Sequence, residues 1–123
     1  MLSELTGKWT CKQDGGTYFL RMIPNDVNEK ILIWHGSGEY KDPNGHVHTW
    51  SNIAKGDIIE KMNRATGEKI VTIAMFWADV PSGSNRANGH LNLTVRNDSK
   101  GKLSLVKIEN GSSPYVGQVL VKA

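Results

Sequence analysis

Trp34, Trp50 and Trp77 are the residues whose type and spacing first suggest chemistry. Each falls in a short apolar run, and alternation along a strand lets all three point to one side of a sheet. An aromatic wall with a few polar groups holds an organic molecule by apolar contact and orients it by hydrogen bonds. His48, Trp50 and Asn52 follow one another at steps of two, so one strand face would carry an imidazole, an indole and a carboxamide. Tyr18 adds a phenol from another run. The competing reading of the same indoles is core packing.

Acid or base chemistry has Asp79 as its best candidate. It ends an apolar run beside Trp77, where desolvation raises a carboxyl's pKa. The stronger reading is that an aspartate just before Val80-Pro81-Ser82-Gly83 hydrogen-bonds the backbone of the turn that follows. His46 and His48 share a strand face at a spacing that chelates zinc or copper, but no third ligand is near and no metal is expected. His35 and His90 have no carboxylate close in sequence and read as structural. Nucleophile motifs, phosphate loops and paired carboxylates are missing, so the sequence names no reaction and implies no cofactor. Cys11 has no histidine partner and reads as a quiet buried thiol.

These side chains sit on apolar runs of period two, or short β-rich runs, separated by Gly, Asn, Asp, Ser and Pro. Eight runs are predicted: Gly7 to Lys12, Thr17 to Ile23, Lys30 to Ser37, His46 to Ile59, Lys69 to Val80, Gly89 to Asn97, Lys102 to Glu109 and Tyr115 to Lys122. Asp14-Gly15-Gly16, Asp42-Pro43-Asn44-Gly45, Thr66-Gly67, Asp98-Ser99-Lys100-Gly101 and Asn110-Gly111-Ser112-Ser113-Pro114 supply hairpin turns. Connections this short make neighbours antiparallel, because a parallel crossover needs a dozen or more residues. A meander of eight strands closes into a small barrel and removes its own edges. Two local alternatives remain. Ile58 to Gly67 could form two helical turns, and Gly56 marks either a bend at a barrel corner or an extra hairpin.

With 123 residues the chain is expected to form one domain, residues 1–123. Its 15 basic and 12 acidic side chains leave a net charge of +3 without a basic stripe, which argues against nucleic acid. No apolar run approaches the roughly 20 residues of a membrane helix. A single cysteine excludes an intramolecular disulfide, and Met1-Leu2-Ser3-Glu4 does not resemble a signal peptide, so a soluble, cytoplasmic protein is expected.

The third and fifth runs are apolar on both faces. Ile31 and Ile33 oppose Leu32 and Trp34, while Val71, Ile73, Met75 and Trp77 oppose Ile70, Thr72, Ala74, Phe76 and Ala78. One barrel has one interior, so the outer faces need cover, and a homo-oligomer is expected. In the second run Tyr18, Leu20 and Met22 are expected to face inward, leaving Arg21 solvated.

Leu5-Thr6-Gly7-Lys8-Trp9-Thr10 resembles the opening strand of avidins, the biotin-binding eight-stranded barrels of the calycin type, and Gly16-Thr17-Tyr18 resembles another avidin strand. The resemblance covers about a dozen residues. It implies a barrel whose closed end is plugged by Trp9 and in which Tyr18 meets the ligand. Cys11 stands where avidins place a polar ligand of the first strand. Trp34, Trp50 and Trp77 would wall the cavity as avidin tryptophans do, one of them lent by a neighbouring subunit.

The resulting expectation is an all-β, eight-stranded antiparallel up-and-down barrel, calycin- or avidin-like. It would bind a partly apolar or aromatic small molecule in its open end, without covalent chemistry, through Tyr18, Trp34, His48, Trp50, Asn52 and Trp77. Two alternatives stand beside it. One is a cofactor-independent cyclase or isomerase using Asp79 and Tyr18. The other is a carbohydrate-binding protein, since tryptophan and asparagine on a β surface suit sugars.

Overall fold

The computed structural model describes residues 2–24, 30–80, 87–97, 100–108 and 118–123. A 3-10 turn over Leu2–Leu5 precedes eight strands: β1 (Gly7–Cys11), β2 (Gly16–Pro24), β3 (Lys30–Lys41), β4 (Val47–Met62), β5 (Lys69–Asp79), β6 (Asn88–Asn97), β7 (Leu103–Ile108) and β8 (Val119–Lys122). Every strand pairs antiparallel with its sequence neighbours, and β8 returns to β1 through Trp9 opposite Lys122. This is the closed meander barrel that the turn spacing predicts. Among the described residues no helix is long and apolar enough to cross a membrane.

Two strands run further than their sequence patterns. β3 continues to Lys41 and β4 to Met62, so the β3–β4 and β4–β5 hairpins are the longest pairings. The helix weighed over Ile58 to Gly67 does not form. Ile58 lies opposite Ile73 and Ile59 opposite Thr72, and these β-branched cross-strand pairs override a weak local preference. Gly67, at φ 70°, sits in the turn instead. Gly56 opens no extra hairpin, because the register is unbroken on both sides of it. A Cβ there would collide with the Ala74 backbone and the Met75 sulfur, so close strand approach selects glycine. Tyr115 in the eighth run, Pro81 to Gly83 after Asp79, and the turn residues Asp98, Ser99 and Asn110 to Pro114 lie outside the described residues.

Side-chain parity resolves the doubly apolar strands. Leu32 and Trp34 point inward with Ile73, Met75 and Trp77, while Ile31, Ile33, Ala74 and Phe76 face out. Tyr18 and Leu20 are buried and Arg21 is exposed, as their alternation predicts. At the lower end, where β1 begins, the 3-10 turn presents a fully buried Leu5 to a fully buried Trp9. The Trp9 indole donates to the Leu5 carbonyl at 2.9 Å, satisfying its one polar group. Leu20, Leu32, Ile73, Leu93, Leu105 and Leu120 continue the apolar filling.

Candidate functional site

The upper end gathers four of the six predicted binding residues. Tyr18 pairs with Gly36, which pairs with Asn52 on the next strand. A Cβ at Gly36 would strike the Tyr18 ring and the Asn52 side-chain oxygen, so the glycine makes room for both. Gly16 and Gly38 do the same for Trp50, whose indole covers them from β4. Aromatic rings thus lie over glycines of other strands. The Tyr18 ring meets Trp34 edge-on at 5.2 Å and Trp50 at 5.9 Å between centroids. Trp34 Nε1 donates to Asn52 Oδ1 at 3.0 Å. Trp34 is buried, whereas Trp50 and Asn52 are partly exposed.

Trp77 shares the interior one step lower. It lies opposite Ala54, itself opposite Trp34, and its indole rests beside Gly89. His48 stands apart on the β3–β4 hairpin. Its Nε2 is 2.8 Å from Asp42 Oδ2, and its ring stacks on Tyr40 at 4.9 Å. The His48 imidazole and the His46 and Asn44 backbone N–H groups hold the Asp42 carboxyl below its ordinary range. His46 Nδ1 is 3.4 Å from the same carboxylate oxygen. The histidine pair therefore organises a hairpin. Among the described residues no group of three His, Cys, Asp or Glu side chains is placed to hold a metal ion.

Asp79 takes the backbone role. Its Oδ2 accepts from the Ala87 N–H at 2.8 Å, and its own N–H donates to the Ala87 carbonyl at 2.8 Å. This ties together the two sides of the β5–β6 connection.

A second group at the upper end was not visible as a motif. Lys107 is only 4% exposed, the one buried charged residue among those described. Its Nζ donates to Gln118 Oε1 at 2.8 Å, lies 3.7 Å from Asp14 Oδ2 and stands 5.3 Å from the Tyr18 ring centroid. The Tyr18 hydroxyl donates to Asp14 Oδ2, and the Gly16 N–H donates to Asp14 Oδ1 at 2.7 Å. Burial pushes the Lys107 pKa below the usual lysine value, with the charges of Asp14 and Cys11 opposing the shift. The neighbouring Cys11 thiol, pushed up by burial, donates weakly to Gln13 Oε1 at 3.5 Å. The available signal was alternation: Leu103, Leu105 and Lys107 occupy one face of β7, and its first two members are apolar.

Outside the barrel, β2, β3 and β4 form an open groove of about 470 Å³. Phe19, Ile33 and Ile53 make its floor, with Arg21, His35 and Lys55 among them. Phe19 is 55%, Ile53 51% and Phe76 50% exposed, large values for such side chains.

No protein-family model, no curated protein and no solved structure gives a significant match to this chain.

Proposed function

We propose that this barrel binds a small, partly apolar or aromatic molecule at its upper end. The observation that carries the reading is the convergence of Tyr18, Trp34, Trp50 and Asn52, with Trp50 and Asn52 partly exposed. Rings supply apolar contact, and the Trp34 bond to the Asn52 oxygen orients the Asn52 amide N–H groups as donors to a ligand. Trp77 contributes the deeper wall. The engagement of His48 with Asp42 and of Asp79 with Ala87 gives those two residues positioning roles in hairpins.

The test is tryptophan fluorescence during titration with small aromatic alcohols, beginning with cinnamyl alcohol. Saturable quenching that weakens in Asn52→Ala supports the site. Unchanged emission across an aromatic panel would refute it.

Self-association belongs to the same proposal. The exposed Phe19, Ile53 and Phe76 lie on the outer faces of β2, β4 and β5, and burying them against a second copy removes apolar area from water. Light scattering should give at least twice the mass of one chain.

A further inference from the structure

We propose that Lys107 captures a carbonyl group, so that the molecule held at the upper end is an apolar or aromatic aldehyde or ketone bound as an imine. The inference rests on the ligand-binding reading above and adds to it the reactive group of the ligand.

Five observations lead there. A lysine amine is a nucleophile once it is neutral, and burial is what favours the neutral form. Lys107 is buried, and the groups facing it include, among the described residues, Asp14, Tyr18, Gln118 and Cys11. Asp14, at 3.7 Å, stands where a counter-ion to a protonated imine is needed. The Tyr18 hydroxyl, bonded to that carboxylate, is a proton source beside the amine. The aromatic surface also begins at Nζ: the Tyr18 ring is 5.3 Å away and leads on to Trp34 and Trp50. Finally, Nζ lies one side-chain layer beneath solvent, because Asp14 and Gln118 are partly exposed.

In the step itself, the Nζ lone pair forms a C–N bond while the carbonyl π pair moves to oxygen. An amine proton passes to that oxygen, giving a carbinolamine. The oxygen receives a second proton from the Tyr18 and Asp14 pair, the C–O bond breaks, and water leaves as nitrogen completes the C=N bond. Solvent restores the proton to the pair. Amine, carbonyl and one proton thus yield a protonated imine and water, with no change of oxidation state.

The test incubates the intact protein with cinnamaldehyde and cyanoborohydride near pH 7 and maps the reduced adduct by peptide mass. One adduct at Lys107 is expected, forming at least about tenfold faster than at any surface lysine, because a buried amine is neutral for more of the time than a solvated one. The fast adduct should vanish in Lys107→Arg, and the wild-type map decides alone if that variant does not fold. Labelling spread over surface lysines with Lys107 unmodified, while cinnamyl alcohol still quenches tryptophan emission, would overturn the imine and leave the binding site standing. Loss of both signals would overturn both readings.

Discussion

The two ends of the barrel interior are built from the same strands but from different chemistry. On β1 the inward residue changes from Trp9 to Cys11, on β2 from Leu20 to Tyr18, on β4 from Ala54 to Asn52 and on β7 from Leu105 to Lys107. Each change takes a single two-residue step, about 6.6 Å of strand. Below it the filling is hydrocarbon, with the Trp9 indole tied back to Leu5. Above it lie an amine, a carboxylate, a phenol, a thiol and three carboxamides, held by hydrogen bonds. The lower end is what holds the fold. The upper end carries the polar groups that a fold alone would not select, since burying them gains little over apolar side chains of the same shape.

The largest effect should follow from emptying the lower end. Trp9→Ala should cost roughly 3 to 5 kcal/mol of stability, measured by urea unfolding followed by far-ultraviolet circular dichroism. Trp50→Ala should cost less stability, because its ring is partly exposed, and should instead weaken cinnamyl alcohol binding by roughly 1 to 3 kcal/mol. Equal stability losses for the two would erase the contrast between the ends.

A smaller effect concerns pH. Folding lowers the Lys107 pKa from the ordinary 10.5, so between its folded and unfolded values the unfolded chain binds more protons. Stability should therefore rise with pH through that window, by at most about 1.4 kcal/mol per unit. Cys11, raised by burial, acts oppositely once pH exceeds the ordinary thiol value, and the comparison is cleanest below it. Lys107→Met should flatten the rise, and parallel wild-type and variant profiles would contradict it. The smallest expected change in stability is at the outer surface. Phe76→Ser should shift monomer stability by less than about 0.5 kcal/mol yet reduce the mass seen by light scattering, separating the outer face from both ends of the interior.

The barrel is legible because its two signals agree: period-two apolar runs, and turns too short for anything but antiparallel neighbours. Gly15, Gly45, Gly67 and Gly101 all adopt the positive φ that those turns demand. Parity likewise places Tyr18, Trp34, Trp50 and Asn52 on inward faces. Their convergence is legible only in part, since it depends on Gly16, Gly36 and Gly38 yielding space across strands, a relation set by register. Lys107 carries no signal of its own in the sequence, because a lysine in an alternating run is ordinarily solvated. Nor does Asp14 announce its role, because an aspartate before two glycines first suggests a turn. It is one, through Gly16, and the same carboxylate also serves Tyr18 and Lys107.

Pairing between β1 and β8 has a consequence for how the molecule is made. Trp9 meets Lys122 and Cys11 meets Leu120, contacts between opposite ends of the chain, while the other seven pairings join sequence neighbours. Hairpins form in microseconds, but joining segments so far apart carries a large loop entropy that must be overcome before any contact repays it. Zippering of the meander therefore precedes closure, and closure sets the refolding time. Until it occurs, β1 and β8 are two open strand edges, and concentrated refolding mixtures offer each edge a partner from another molecule. Dilution during refolding favours the intramolecular partner, and the finished ring leaves neither edge to pair.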